Sequence, residues 1–362
     1  MNHAGEGAKP LALTMGDACG IGPEIIAQVF RAAAASDVDD VAAGAFVLGD
    51  LGVMRRAAAL TGGLLPVALI AQPSDALACP RGCIPVLQVS GLPVDLLAAP
   101  LGKVDARAGA AAAACIRAAA QSALAGDLAA IVTAPIHKEA LAAAGIDFPG
   151  HTEMLQALSG APAVRMMLAN DELKTVLVTI HVALRRAIDL VTFDTVLETL
   201  RIVQRTAASW GQPAPRIAVA GLNPHAGEGG LFGDEEIAII APAIAAARAE
   251  GIAASGPFAP DTVFMRARNA PDHPGEFDIV VAMTHDHGLI PVKYLGVERG
   301  VNVTLGLPFV RTSPDHGTAF DIAGRGTADP ASLRAAMRMA RRLARAPSAS
   351  AVSGSSRSPR PA

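Results

Sequence analysis

The feature of this sequence that most restricts its fold is a repeated alternation of short apolar runs and longer helical segments. Apolar runs with the composition of β-strands begin near residues 11, 46, 67, 84, 129, 174, 216 and 278. Helical patterns lie between several of them, for example Pro23 to Ala35, Leu51 to Leu60 and the alanine-rich segment Asp105 to Ala125. Strands that alternate with helices in this way predict a layered α/β fold.

The length of 362 residues suits two domains or one large α/β unit. We predict a flexible N-terminus over residues 1–10, one folded region over residues 11–345, and a disordered tail of Ser, Pro and Arg over residues 346–362. The folded region is expected to end in a helix that is capped by Asp329 and reaches about Arg345.

Three further segments carry local predictions. The helical pattern from Asp234 to Glu250 contains Pro242, at which we expect a kink. The stretch from Ser255 to Phe264 is predicted to be a loop. Beyond Gly288, short strands are expected around the polar residues Lys293, Arg299, Asn302 and Arg311.

Composition argues against several partners. The formal net charge is −3 and there is one Trp and one Tyr, so neither a basic surface nor base stacking predicts binding to nucleic acid. No apolar stretch has the length and freedom from charge of a membrane span, and the first ten residues do not resemble a signal peptide. The four cysteines lack paired zinc-type spacing, and we expect free thiols and a cytoplasmic protein.

Three histidines share a position in the strand pattern. His181, His225 and His285 each follow an apolar run and precede a break in the chain. Because the ends of strands gather at one edge of an open α/β sheet, three imidazoles there would hold a divalent ion and leave a position for substrate. Imidazole favours zinc, cobalt or nickel over magnesium, and the nearby carboxylates Asp261 and Asp286 weaken that preference. One such histidine alone is more often structural; the recurrence predicts a metal site.

A second group of side chains is cationic or polar and suits an anion. It consists of Lys293, Asn302 and Arg311, with His151 and Thr152 as additions at the start of a helix. A metal beside an anion site indicates polarisation of an alcohol or carbonyl that is anchored by a distal phosphate or carboxylate.

A nucleotide cofactor would be bound without the dinucleotide fingerprint. The first loop has glycines at 16, 20 and 22, which is the wrong spacing for G-x-G-x-x-G. Backbone contacts from His316, Gly317 and Thr318 are our prediction for cofactor binding.

Five motifs together resemble the 4-hydroxythreonine-4-phosphate dehydrogenase family of pyridoxal phosphate synthesis. They are GIGPE at 20–24, TAPIHK at 133–138, FPGHTE at 148–153, GLNPHAGEGG at 221–230 and GVNVTLGLPFVRTSPDHGTAFDIAG at 300–324. The resemblance implies an isocitrate/isopropylmalate dehydrogenase-like fold, with two α/β/α subdomains around a central cleft, in a homodimer whose active site is shared across the subunit interface. It also implies NAD- or NADP-dependent oxidation of a small phosphorylated substrate at its 3-hydroxyl, followed by loss of CO₂.

The resemblance assigns roles to the residues selected above. It implies one divalent metal (zinc, cobalt or magnesium) on His181, His225 and His285, and substrate contacts from His151, Thr152, Lys293, Asn302 and Arg311. Asp261, Asp286 and Lys293 are its catalytic candidates, and His316, Gly317 and Thr318 its cofactor contacts.

The sequence departs from the family pattern at five positions: Ala18, Cys19, Ala183, Thr284 and His287. None of them removes a predicted ligand, but the resemblance places Thr284 and His287, which adjoin the predicted metal histidine, beside the substrate, and relatives of the family oxidise other substrates. A dehydrogenase of D-threonate or D-erythronate 4-phosphate is therefore an alternative with the same mechanism. Two alternatives from other classes are an acyl-phosphate transferase of the same fold, which would be independent of metal, and a non-catalytic metal-binding protein.

Overall fold

The computed structural model describes residues 8–35 and 40–345, so most of the two ends predicted to be flexible, 1–10 and 346–362, lies outside the described residues. Within these residues the chain forms twelve strands: β1 (Leu11–Thr14), β2 (Ala45–Gly49), β3 (Val67–Leu69), β4 (Ile84–Gln88), β5 (Ala130–Thr133), β6 (Arg165–Ala169), β7 (Lys174–Leu177), β8 (Ile217–Ala220), β9 (Ala254–Phe258), β10 (Ile279–Ala282), β11 (Val301–Leu305) and β12 (Arg311–Pro314).

The same residues form eleven α-helices: α1 (Gly22–Ala35), α2 (Leu51–Leu60), α3 (Ala106–Leu124), α4 (Lys138–Ala143), α5 (His151–Ser159), α6 (Leu184–Leu190), α7 (Phe193–Ser209), α8 (Ala241–Ala249), α9 (Val263–Ala267), α10 (His285–Tyr294) and α11 (Ala331–Ala344). Several begin at the side-chain caps that the sequence offers. Asp50 accepts a hydrogen bond from Val53 N at the start of α2, and Asp329 accepts one from Ala331 N at the start of α11. The predicted α/β class is confirmed.

The first of two compact units contains the described residues up to Val164 and Lys293–Arg341. Its strands lie in the order β3-β4-β2-β1-β5-β12-β11, and only β11 and β12 pair in antiparallel fashion. Every residue of β1, β2 and β5 is buried, as expected for parallel strands that are covered on both faces. Gly109 lets α3 approach α4 closely, because a Cβ there would lie 1.9 Å from Ala140 O.

The second unit contains Arg165–Val292 and the described residues from Arg342 onward. Its strand order is β6-β7-β10-β8-β9, with β6 and β7 antiparallel and the remaining neighbours parallel. All residues of β8 and β10 are buried. The carboxyl ends of β7, β10 and β8 therefore lie next to one another at one edge of the sheet, which is the edge where ligands bind in such folds.

The helix predicted from Asp234 to Glu250 is not one regular helix. Glu236–Ile240 is π-helical, with Ala241 N donating to Glu236 O, and α8 begins only at Ala241. Pro242 lacks an N–H, and its ring would clash with a carbonyl four residues earlier in a continuous α-helix. The wider π turn places Pro242 in the first turn of α8 instead, so the irregularity precedes the proline.

The loop predicted from Ser255 to Phe264 is partly wrong. Strand β9 runs through Gly256 and Pro257 and pairs with β8, and α9 begins at Val263. A Cβ at Gly256 would lie 2.5 Å from Val219 O, so this glycine marks a close approach of two strands, not a loop. Asp261 does lie in the connection between β9 and α9.

The short strands predicted at Lys293 and Arg299 are wrong, while those at Asn302 and Arg311 are found as β11 and β12. Lys293 lies in the last turn of α10, and Arg299 ends a 3₁₀ turn, Val297–Arg299. Gly288 allows α10 to lie directly on the sheet, since a Cβ there would be 2.4 Å from Leu177 Cδ2. Gly288 therefore lies inside a helix, six residues beyond the end of β10.

Two predictions about the whole chain can be compared with the structure. All four cysteines, Cys19, Cys79, Cys83 and Cys115, are free thiols, as expected. In the part of the chain that the structure describes, no helix combines the length and the apolar composition needed to cross a bilayer.

Candidate active site

Each of the three histidines predicted to bind metal follows one of the neighbouring parallel strands of the second unit. His181 comes four residues after β7, His285 is the first residue of α10 after β10, and His225 comes five residues after β8. The three segments leave the sheet at the same edge because β10 lies between β7 and β8. The strand-end position that the sequence suggests is thus present in the fold.

Two of these imidazoles face one another. The ring centroids of His181 and His285 are 5.7 Å apart, with the planes tilted by 48°. His285 Nδ1 lies 2.7 Å from Asp286 Oδ1, which leaves Nε2 of this ring available to a ligand. Both rings line a cavity of about 380 Å³ that is bounded by residues 179–182, 184, 187 and 284–287.

The third histidine lies on a different kind of backbone. His225 has φ +53° and opens a run of six residues with positive φ, and its ring is 6.2 Å from that of Phe232. Within residues 8–35 and 40–345, no group of three or more His, Cys, Asp or Glu side chains is arranged to hold a metal ion. The structure therefore brings His181 and His285 together but does not complete a cluster with His225, and the three-histidine ligand set stays a prediction.

The donor atoms at this edge nevertheless suit a divalent ion of intermediate softness. Two imidazoles and the carboxylate of Asp286 border one cavity, and His287 Nδ1 is buried there without a hydrogen-bond partner. A carboxylate that holds the second nitrogen of an imidazole is a common way to orient a metal-binding histidine. This donor set fits zinc or cobalt better than magnesium. Asp261, the other predicted carboxylate, is exposed.

The cationic group lies in the first unit and is centred on Arg311. This residue is 3% exposed at the start of β12. Its Nη1 donates to Thr304 Oγ1 at 2.9 Å and its Nη2 to Thr133 Oγ1 at 2.6 Å, while Nε is buried without a partner. Burial lowers the pKa of Arg311 to about 10, with Glu153 opposing the shift, so the guanidinium is still charged at neutral pH. The hydrogen bonds of this buried cation go only to neutral hydroxyls, and Glu153 acts on its charge without forming an ion pair, so an anion bound here would gain the full set of charge-assisted hydrogen bonds.

The other predicted anion-binding residues belong to the same unit, and His151 and Asn302 are the two that the structure relates to this guanidinium. Burial, together with the charge of Arg311, lowers the pKa of His151 well below its usual value, and its Nε2 has no partner. Asn302 lies two residues from Thr304 on the same face of β11, and its Oδ1 is buried without a partner. Lys293 Nζ lies 2.8 Å from Asp315 Oδ2. Thr152 follows His151 in the first turn of α5.

The predicted cofactor segment packs against the first loop of the chain. Ile21 N donates to Thr318 O at 3.0 Å, and a Cβ at Gly20 would lie 2.9 Å from Thr318. Gly317 is exposed, and His316 Nδ1 lies 3.0 Å from Gly317 O. The contacts in the described part of the chain do not show whether these three residues bind a cofactor, so that role stays a prediction.

Several buried polar side chains that hold the loop at residues 324–326 and the guanidinium of Arg311 are not evident from the sequence. Glu24 is 2% exposed, and its carboxylate accepts hydrogen bonds from Gly324 N at 2.6 Å and Gly326 N at 2.7 Å. Thr133 and Thr304, which contact Arg311, were likewise not singled out. The available signal was a polar residue within an otherwise apolar strand or helix face, since such a residue must find a partner when it is buried.

Asp17 is a further buried carboxyl group that the sequence did not reveal. It follows β1, is 1% exposed, accepts from Cys19 N at 2.8 Å through Oδ1, and has no partner at Oδ2. Burial raises its pKa to about 6, although the Cys19 amide and His137 oppose the shift. The folded state therefore favours the protonated form more strongly than the unfolded chain does.

Asp17→Asn is expected to stabilise the protein at alkaline pH. The contribution of protonated Asp17 to stability is present below the unfolded pKa, near 3.8, and is lost as the pH rises through about 6. The variant should therefore exceed the wild type by only about 1 kcal/mol at pH 4.5 and by about 3 kcal/mol at pH 8 in urea unfolding. The exposed Asp127 provides a control, Asp127→Asn, which should show no such change. Equal pH dependence of Asp17→Asn and the wild type would contradict the raised pKa.

Comparison with known proteins identifies the family. The sequence profile described as "Pyridoxal phosphate biosynthetic protein PdxA" matches residues 42–340. The chain belongs to the PdxA family. The match covers four of the five motifs that suggested the resemblance, and the fifth, GIGPE, precedes it. The family predicted from the motifs is confirmed.

Relatives of the PdxA family resemble the chain over most of its length. A protein of Beijerinckia indica named 4-hydroxythreonine-4-phosphate dehydrogenase is 55% identical over 334 residues, which is 92% of this chain and 95% of the relative. A protein of Pectobacterium atrosepticum named D-threonate 4-phosphate dehydrogenase is 45% identical over 341 residues, covering 93% and 100%. The crystal structure of a 4-hydroxythreonine-4-phosphate dehydrogenase from Klebsiella pneumoniae is 43% identical, with a TM-score of 0.83, and covers 93% of this chain and all of that one.

Proposed function

We propose that this PdxA-family protein is an NAD- or NADP-dependent dehydrogenase of 4-hydroxythreonine 4-phosphate in pyridoxal phosphate synthesis. It oxidises the 3-hydroxyl to give 2-amino-3-oxo-4-phosphooxybutanoate, which loses CO₂ to give 3-amino-2-oxopropyl phosphate. Relatives with this name at 45–55% identity support the assignment. The structural observation that carries it is the buried charge of Arg311, whose hydrogen bonds in the described structure go only to two threonine hydroxyls while Nε has no partner.

The phosphate of the substrate is the anion that Arg311 lacks. A guanidinium presents its N–H groups in a planar fork that matches two oxygens of a phosphate, and Nε of Arg311 is unused. Neutral His151 can donate one hydrogen bond without adding charge, and Thr152, Lys293 and Asn302 supply further donors. The same residues would bind a dicarboxylate less well, because its carboxylates lack the three terminal oxygens of a phosphate.

His181, His225 and His285 would hold the metal, for which zinc or cobalt is our first expectation. When bound, a divalent ion would supply Lewis-acid chemistry at the substrate hydroxyl, and the nicotinamide would accept the hydride. The contribution of the chain is to fix the imidazoles: Asp286 holds His285 through Nδ1, and Gly288 lets α10 bring this histidine to the sheet edge.

The reaction also requires two proton transfers that the side chains must manage. Oxidation releases the proton of the 3-hydroxyl, and decarboxylation breaks the bond between C1 and C2 and requires a proton at C2. Asp261, Asp286 and Lys293 are our candidates for these transfers. Lys293 is already paired with Asp315 at 2.8 Å, a contact that holds its ammonium group in one place.

We further propose that the protein works as a cytoplasmic homodimer whose cofactor contacts His316, Gly317 and Thr318. Four free thiols suit a reducing compartment. Leu184 and Ile188 lie one turn apart on α6 and are 66% and 41% exposed, and a second copy of the chain placed on this helix would bury both.

The second candidate is a dehydrogenase of D-threonate or D-erythronate 4-phosphate, which the Pectobacterium relative favours. Both candidates use the same phosphate contacts, so the test is direct comparison of kcat/KM for the three phosphorylated acids with NAD and with NADP. We expect the highest value for 4-hydroxythreonine 4-phosphate. A higher value for either sugar-acid phosphate would assign the second candidate. Activity that a chelator abolishes and that zinc, cobalt or magnesium restores would count against the acyl-phosphate transferase class, which needs no metal.

A further inference from the structure

The loop that carries His225 has an unusual backbone. From His225 to Gly230, six consecutive residues have positive φ, at 53°, 54°, 79°, 43°, 66° and 99°. Three of them, His225, Ala226 and Glu228, carry side chains, and each such residue costs about 1–2 kcal/mol in this conformation. A left-handed turn of this kind persists only where the surrounding structure holds it in place.

Glu236 supplies that support. It is 3% exposed, and its Oε1 accepts hydrogen bonds from Leu222 N at 2.7 Å and Asn223 N at 2.8 Å, just before the turn. Its Oε2 accepts from Asn223 Nδ2 at 2.9 Å. Asn223 O in turn accepts from Ala226 N at 3.1 Å, inside the turn. One carboxylate therefore fixes the backbone through which the chain enters the left-handed segment.

The centre of the turn also lies against this carboxylate. A Cβ at Gly227 would be 2.8 Å from Glu236 Oε2, whereas a Cβ at Gly229 would meet nothing within 4 Å. Burial raises the pKa of Glu236, but the hydrogen bonds from Asn223 and Leu222 outweigh burial, and the pKa lies below its usual value. Glu236 is therefore an anion at neutral pH, with both oxygens engaged by the loop.

The position of Glu236 depends on the irregular helix that follows. Glu236 is the first residue of the π-helical segment Glu236–Ile240, which is closed by the hydrogen bond from Ala241 N to Glu236 O and precedes Pro242. The helix start, the buried carboxylate and the strained turn thus form one connected unit. Nothing in the predicted metal or substrate groups accounts for this arrangement.

We infer that Glu236 is a positioning residue that holds the left-handed turn so that His225 can reach the sheet edge where His181 and His285 lie. The inference deepens the proposed function, on which it rests, by naming what sets the third imidazole. Glu236 touches neither substrate nor metal; it acts through the backbone of residues 222–227. Loss of its hydrogen bonds should weaken metal binding without removing a ligand.

The test compares Co²⁺ binding by full-length protein, measured by the visible absorption of the bound ion and by calorimetry. Glu236→Gln keeps the shape but places an amide donor against the donor Asn223 Nδ2. We expect its dissociation constant for Co²⁺ to rise roughly 10- to 100-fold, the range for groups that orient metal ligands. Hydrogen exchange at the Leu222 and Asn223 amides should also accelerate in the absence of metal. The exposed neighbour Asp234 gives the control Asp234→Asn, which should change neither quantity.

A second pair of variants keeps the test valid if Glu236→Gln does not fold. Gly227→Ala and Gly229→Ala impose similar strain, because both residues have positive φ, but only the first forces a methyl group against Glu236. Gly227→Ala should weaken Co²⁺ binding and Gly229→Ala should not. Wild-type affinity in both Glu236→Gln and Gly227→Ala would overturn the inference and leave the proposed function standing. Failure of the wild type to bind Co²⁺, or binding that survives His181→Ala and His285→Ala, would overturn the metal site and this inference with it.

Discussion

Arg311→Met is expected to lower kcat/KM for the phosphorylated substrate by roughly 30- to 5,000-fold, the equivalent of 2–5 kcal/mol for loss of a buried charge partner. The guanidinium is 3% exposed, and its Nε has no hydrogen-bond partner in the protein. Because the site is buried, water cannot replace the hydrogen bonds that the guanidinium would donate to the phosphate. Methionine fills a similar volume without charge. The substrate phosphate would then be buried against Thr133, Thr304 and a thioether.

The same substitution should not destabilise the protein without substrate. Burial lowers the pKa of Arg311, which means that the folded protein disfavours its charged form relative to water. Replacing a buried, uncompensated charge by an apolar side chain of similar size is often neutral or stabilising. We therefore expect an unchanged or higher melting temperature together with the loss of activity, a combination that a purely structural arginine would not give.

The control for Arg311 is Arg299, which is exposed at the end of a 3₁₀ turn and pairs only loosely with Glu298, at 3.7 Å. Arg299→Gln should keep kcat/KM within about twofold, because exposed charges of this kind contribute little. Arg311→Lys should recover only part of the activity, since an ammonium group cannot form the planar fork. A melting temperature that falls in Arg311→Met while kcat/KM stays at the wild-type value would assign Arg311 a structural role.

The parts of the fold that local sequence determines were predicted closely. Helix α2 has the predicted ends, Leu51 and Leu60, because Asp50 caps it and its apolar positions repeat with helical spacing. The errors fall where a distant contact overrides local preference. Gly256 and Pro257 indicate a loop, yet they lie in β9 because Val219 leaves room only for a glycine. Gly288 lies inside α10, a helix that could not be inferred without the sheet beneath it.

The candidate site likewise contains some features that the sequence predicts and others that only the structure shows. The strand-end position of His181 and His285 can be predicted, because it depends on apolar runs and breaks that are visible in the sequence. The hydroxyl partners of Arg311 cannot, since Thr133 lies 178 residues away in the chain. The left-handed turn at His225 cannot be predicted either. Its sequence shows only that the segment is rich in glycine, and the contact with the buried Glu236 that holds the turn is visible only in the structure. Residue types were predictable; the long-range contacts that orient them were not.

His285→Ala is expected to reduce kcat by roughly 10³-fold or more, which corresponds to a rise of about 4 kcal/mol in the activation free energy. A divalent ion stabilises the charge of such a transition state by several kcal/mol, and this stabilisation would be lost with the ion. His285 is the predicted ligand with the best-defined surroundings: its ring is 5.7 Å from His181, its Nδ1 is held by Asp286, and α10 carries it to the end of β10. Alanine at the first position of α10 should leave the helix intact, because it removes no cap.

The measurement should be made with saturating Zn²⁺ or Co²⁺ and again after chelation, alongside His273→Ala in the same unit. His273 is exposed and its ring hydrogen-bonds to Met265 O, at 3.1 Å, so its removal deletes an imidazole without touching the sheet edge. Wild type and His273→Ala should lose activity on chelation and regain it with added metal, whereas His285→Ala should be inactive throughout and show no bound Co²⁺. If His285→Ala keeps its turnover and still responds to chelation and added metal, the metal must bind elsewhere in the protein. The histidines at the carboxyl ends of β7, β10 and β8 would then have no part in the reaction.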